Sequence, residues 1–256
     1  MTEKAEKIEP AKGERIAKVL ARAGVASRRE VERMIAEGRV TVDGKIIPSP
    51  ALNVTAANRI AVDDKPVAAA EEARVWRYHK SPGTLTTNSD PQGRPTIFEK
   101  LPPELPRVVT IGRLDYNTEG LLLLTNDGEL ARHLELPKHA WLRHYRVRVY
   151  GWVDVAKLKK LEDGATIDGV HYEPIKAELE TEKQEGSNSW LSVSIREGKN
   201  REIRRVMEHL DLEVTRLIRV AFGPFQLGKL VRGGVEEVPR RILRESLGNF
   251  FKELGK

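Results

Sequence analysis

Leu121 to Leu124 form an unbroken apolar run that ends at the turn residues Asn126-Asp127-Gly128. A strand points alternate side chains to opposite faces, so consecutive leucines need apolar cover on both. The run therefore predicts a central strand sandwiched between two packed layers. Directly before it stands the polar stretch Gly112-Arg113-Leu114-Asp115. Gly112 permits a sharp bend, Asp115 stands at the mouth, and Thr118 and Gly120 are expected to shape the loop. A carboxylate used as a nucleophile must be ionised and rigidly backed, and an adjacent cation such as Arg113 favours the charged form. A structural turn uses the same Asp–Arg pairing, so the stretch gains meaning only with companions.

Two later stretches supply them. "RHYRVRV" alternates as a strand should, placing Tyr145 in phase with Val147 and Val149. By itself Tyr145 reads equally as a core phenol with a satisfied hydroxyl. "REGKNREIRR" puts Lys199 in a polar turn before a helix that carries Arg201, Arg204 and Arg205, with Ile203 facing the core. The plain alternative there is a helix with a basic outer face.

The N-terminal part is organised differently. The first 13 residues mix Lys, Glu and Ala with Pro10 and Gly13 and are expected to form a disordered tail. Ile16, Val19, Leu20 and Ala23 recur at helical spacing, and Gly24 can end that helix. Ser27 and Glu30 form a capping box for a second helix with the stripe Val31, Met34 and Ile35. A strand, "RVTV", then leads into the hairpin turn Asp43-Gly44. Lys12 to Lys45 carries nine cations and five acids, four of the chain's net six positive charges. Arg15, Lys18 and Arg22 share one side of the first helix. Arg28 and Arg29 occupy the first turn of the second, where the helix dipole disfavours cations. Phosphate binding explains that placement better than stability does, although a solvated helix face is the simpler reading.

Composition limits the chemistry. With no cysteine among 256 residues, disulfides, thiolate nucleophiles and Cys-bound zinc are excluded. "MTEKAEKIEPAKGE" has no apolar segment, and no run approaches the roughly 18 apolar residues of a membrane helix. A cytoplasmic protein with no membrane partner is expected. "GPFQLGKL" has the glycine spacing of a phosphate loop, but Leu230 stands where Ser or Thr must hold magnesium. His133, His139, His144 and Glu135 fit no standard metal spacing.

The N-terminal stretch "RIAKVLARAGVASRREVERMIAEGRVTVDGK" resembles the small RNA-binding domain first known from the fourth small-subunit ribosomal protein. "GRLDYNTEGLLLLTNDGELA", "HYRVRV" and "EGKNREIRR" resemble the pseudouridine synthase superfamily, in its RsuA/RluB-type branch acting on ribosomal RNA. Two departures stand out. The branch's Lys-Pro-x-Gly is here "KSPG", with Pro82 one place late, and Arg143 replaces a frequent Lys two places before Tyr145.

The resemblance implies an α+β chain: a helix-helix-hairpin RNA-binding domain, then a mixed, largely antiparallel sheet flanked by helices. The expected limits are 14–68 for the first domain, 69–74 for a linker and 75–250 for the catalytic domain. It implies isomerisation of uridine to pseudouridine with no metal and no cofactor. Asp115 would be the catalytic carboxylate, attacking ribose or ring or removing a ribose proton. Tyr145 would pack on the uracil and serve as a late base, and Lys199 would pair with the aspartate. Arg28, Arg29, Arg39, Lys45, Arg113, Arg201 and Arg205 would bind RNA, while Arg204 stands open between that track and an inward structural pair. The wording around the leucines favours large-subunit (23S) rRNA in pre-ribosomal particles, bound by a monomer. The alternatives are a small-subunit (16S) enzyme and a noncatalytic ribosome-assembly factor.

Overall fold

The computed structural model describes residues 13–181 and 187–253, so the expected N-terminal tail lies almost wholly outside the described residues. The chain divides into two compact units between Glu72 and Ala73.

In the smaller unit, helix α1 (Ile16–Arg22) and helix α2 (Arg28–Ala36) pack on a four-stranded antiparallel sheet. Ser27 caps α2 by accepting the Glu30 amide at 3.1 Å. Ile16, Leu20, Val31, Ile35 and Val40 are buried together, which is the face that the helical spacing picked out. Asp43 and Gly44 both have positive φ, as a tight hairpin of this type requires.

The larger unit is built on a nine-stranded sheet. Its main order runs Lys176–Leu179, Asn188–Ile195, Arg143–Tyr150, Glu213–Phe222, Thr118–Thr125, Val75–Lys80, Val235–Glu237. The strands Val109–Ile111 and Phe225–Gln226 attach at its sides. Among the described residues, the sheet's single parallel contact joins Thr118–Thr125 to Glu213–Phe222. The leucine strand is buried at all eight positions. Leu121 and Leu123 pack under helices α3 (Gly128–Glu135) and α6 (Arg240–Glu253, broken at Leu247). Leu122 and Leu124 pack on the opposite face with Trp76, Tyr78, Ile97 and Leu114. At about 2 kcal/mol per buried leucine side chain, this strand anchors both layers.

Thr118 and Gly120 lie inside this strand, not in the loop expected for them. Gly120 is there because of the parallel neighbour: a Cβ at its position would stand 2.3 Å from the Arg219 carbonyl oxygen, at φ +104°. Helix α5 (Glu202–His209) and helix α4 (Val155–Lys160) cover the half of the sheet that contains Tyr145. The hairpin Ala165–Ile167/Val170–Tyr172 and the strands Lys176–Leu179 and Val235–Glu237 are only three or four residues long, too short for a pattern to be read from the sequence. "TIFEKL" contains a 3-10 turn, Phe98–Lys100.

Candidate active site

A cleft of about 860 Å³ opens in the larger unit, lined by Arg113, Asp115, Tyr145, Lys199, Arg201 and Glu202 among others. Residues far apart in sequence reach it because the loop before the leucine strand, the Arg143–Tyr150 strand and the turn before α5 meet at one end of the sheet. Tyr145 is 8% exposed and shares the face of Val147 and Val149. Asp115 is half-buried at the mouth.

Much of the order in the Asp115 loop comes from Lys80. Its ammonium is fully buried and donates to the carbonyls of Ser81 (3.1 Å), Asp115 (3.1 Å), Tyr116 (3.2 Å) and Thr118 (2.8 Å). Burial pushes Lys80 down to about 8, while the charges of Asp115 and Glu119 pull it upward. Gly83 donates its amide to Tyr116 (2.8 Å), and the Thr86 hydroxyl donates to the Leu114 carbonyl (2.9 Å). The displaced proline of "KSPG" thus leaves a stretch that still grips the loop. Gly112, at φ +70°, makes the bend, and its amide donates to Glu135 (2.7 Å).

The cation expected to pair with Asp115 is elsewhere. The Lys199 ammonium forms its ion pair with Glu197, which holds its pKa up, so the expected Lys199–Asp115 pair is absent. The charge of Asp115 acts on Lys80 and on Arg204. Arg204 is half-buried on α5 and donates to the Val214 carbonyl at 3.1 Å, so it faces inward. Burial lowers its pKa, with Arg201 acting in the same direction and Asp115 opposing. The cleft floor adds Arg143 and Arg219, whose guanidinium carbons lie 5.0 and 5.3 Å from the Phe222 ring centroid. Arg143 donates to the carbonyls of Trp141 (3.0 Å) and Arg196 (2.8 Å).

Arg113 and Arg201 are exposed on the cleft lining, Arg201 in the left-handed conformation at φ +52°. Arg205 is exposed on α5 but does not line the cleft. In the smaller unit Arg28, Arg29 and Lys45 are exposed. Arg39 is bound instead: its guanidinium grips Asp63 through two bonds (2.8 and 2.6 Å) and reaches Glu37 (3.2 Å). The stripe Arg15, Lys18, Arg22 is also partly neutralised, since Glu14 takes Lys18 at 2.6 Å and Arg22 at 2.5 Å.

Lys80 stands within "KSPG" and Glu202 within "EGKNREIRR", but neither was given a role from the sequence. The signal for Lys80 was a lysine closing a strand that is otherwise apolar on one face, "VWRYHK". Glu202 stands in a motif read from the sequence, but its burial is set by the tertiary packing of α5.

Comparison with known proteins gives a consistent result. Residues 74–209 match the family described as RNA pseudouridylate synthase, and residues 14–67 match the S4 domain. An RNA pseudouridine synthase of Rickettsia felis is 47% identical over 232 residues, covering 91% of this chain and 100% of that one. The ribosomal large subunit pseudouridine synthase B of Pasteurella multocida is 45% identical over 248 residues, covering 92% of this chain and 71% of that one. A solved pseudouridylate synthase structure superposes with a TM-score of 0.63 at 25% identity, covering 91% of this chain and 99% of that one.

Proposed function

Because the chain belongs to the RNA pseudouridylate synthase family and carries an S4 domain, we propose that it isomerises a uridine of large-subunit ribosomal RNA to pseudouridine. The observation that carries this reading is the shared cleft of Asp115, on the loop before the leucine strand, and Tyr145, on the Arg143–Tyr150 strand. Asp115 is the reacting carboxylate. Its loop is fixed by Lys80, and its charge acts on the inward-facing Arg204. Tyr145 stacks on the uracil once the nucleotide leaves its helix, a step costing a few kcal/mol.

The cations assigned to RNA fall into two groups, one in each unit. Arg113 and Arg201, at the rim, hold backbone phosphates, and Lys199 with its Glu197 partner lies beside them. Arg28, Arg29 and Lys45 give the smaller unit its RNA contact. Phosphate contacts of this kind offset the unstacking cost and make affinity salt-dependent. Arg39 keeps a structural role in its pair with Asp63.

The test is a map of pseudouridines in ribosomal RNA from cells lacking this protein, read by carbodiimide-dependent primer-extension stops. Loss of one large-subunit stop, restored by the gene, is expected. Loss in small-subunit RNA instead would move the substrate, and an unchanged map would end the proposal.

A further inference from the structure

Glu202 is the first residue of α5 and is 3% exposed, yet it lines the cleft that holds Asp115 and Tyr145. Its Oε2 accepts the Lys199 amide at 2.9 Å, which fixes the carboxyl. Its Oε1 is buried with no hydrogen-bond partner. The charged groups acting on it are Glu197 and Lys199 from the preceding turn and Arg143 from the strand beneath. None of them bonds to Oε1: Lys199 is held by Glu197, and Arg143 is spent on the Trp141 and Arg196 carbonyls. A buried oxygen left unpaired costs about 1–3 kcal/mol. Turned toward the cleft about its Oε2 anchor, such a group meets a ligand that brings the missing partner.

We propose that Glu202 is a specificity-determining residue that, as a neutral carboxyl, donates a hydrogen bond from Oε1 to a carbonyl oxygen of the target uracil. The inference rests on the pseudouridine synthase reading and goes further by naming the group that reads the base. The chemistry favours uracil for a definite reason. Isomerisation turns the ring about the axis through N3 and C6, which brings C5 to the place of N1 and exchanges O2 with O4. One fixed donor therefore meets a carbonyl oxygen both before and after the turn. Cytosine would set an amino group, itself a donor, against Glu202 in one of the two orientations. A site that leaves a polar group unpaired with the wrong base discriminates strongly. Burial pushes the Glu202 carboxyl up to about 7, so the neutral form is populated at working pH, and a stacked base excludes more water.

The test uses the full-length protein and an in vitro transcript of the organism's large-subunit rRNA, with pseudouridine read by carbodiimide stops. Glu202→Leu is expected to lower kcat/KM by about tenfold or more, the equivalent of one lost hydrogen bond, with RNA affinity by filter binding unchanged. Glu202→Gln keeps an N–H donor and restores most of that loss. Wild-type activity falls as pH rises from 7 to 9, and Glu202→Gln falls less across the same range, keeping only the loss that follows deprotonation of Lys80 at about 8. Wild-type kcat/KM in Glu202→Leu, or the same pH profile in the wild type and Glu202→Gln, would overturn the inference. A folded Glu202→Gln as impaired as Glu202→Leu would do so too. A wild-type enzyme that leaves the transcript unmodified at every pH defeats the parent reading, which that sample alone distinguishes.

Discussion

The Lys80 ammonium donates to the Asp115 carbonyl at 3.1 Å, so the candidate catalytic carboxylate is positioned through its own backbone by a lysine 35 residues earlier. The same ammonium reaches Tyr116 and Thr118, tying together the last turn before the leucine strand. Lys80→Met removes the tie and keeps the stem. It should destabilise the fold by about 1–3 kcal/mol, because the carbonyls lose a buried donor. Turnover should fall further than unfolding explains, since the loop loses its register. Urea titration alongside single-turnover kinetics separates the two effects, and wild-type turnover in Lys80→Met would show that the loop is held by other contacts.

Asp115→Asn preserves shape and removes the charge. Isomerisation should drop by roughly three orders of magnitude or more, the scale typical of losing a reacting group. RNA affinity should stay near wild type, because the rim and S4 cations are untouched. Carbodiimide stops and filter binding on the same preparations check both halves.

Glu202 gives a stability signature independent of activity. Its folded pKa, about 7, lies above the ordinary carboxyl value of 4.5. The native state therefore binds more protons than the unfolded state between those values. Its contribution is full below about pH 4.5 and is lost as pH rises through about 7. Glu202→Gln should abolish that slope and be the more stable protein at pH 8, by on the order of 2–3 kcal/mol. Denaturant midpoints at pH 5, 6, 7 and 8 decide it.

Arg28 and Arg29 stand exposed in the first turn of α2, and Lys45 is exposed beyond the hairpin turn. Removing a cation that neutralises a phosphate should flatten the plot of log affinity against log salt by about 0.7–0.9. The double variant Arg28→Ala/Arg29→Ala should thus lose nearly twice that, and Lys45→Ala one share. Arg39→Ala should instead lower stability with little change in slope, because Asp63 already occupies it. Deleting residues 1–68 should weaken RNA binding and leave the larger unit folded, as circular dichroism would report. An unaltered salt slope in the deletion would remove the smaller unit from RNA binding.

Gly120→Val places side-chain atoms against the Arg219 backbone and forces a β-branched residue to positive φ. The combined overpacking and backbone strain should cost on the order of 3–4 kcal/mol. Thermal unfolding measures it, and a stability change under about 1 kcal/mol would mean that the parallel strand pair can separate without penalty.

Local pattern alone determined a good deal of this protein. The leucine run required a two-sided strand, the period of Val31, Met34 and Ile35 required a helix with one buried face, and Asp43-Gly44 required a turn. Each of these is decided by neighbours a few residues away, through pleat, helical repeat and permitted φ. The motifs that resemble pseudouridine synthases also brought Asp115, Tyr145 and Lys199 to attention before any fold was known, and the three do line one cleft. Charge pairing was not legible in this way. Lys199 turned to Glu197, Arg39 to Asp63, and the charge of Asp115 acts on Lys80 and Arg204. Those outcomes depend on which long side chains are brought within a few ångströms and cut off from water. Burial sets the strength of such interactions, and only the packed sheet determines burial.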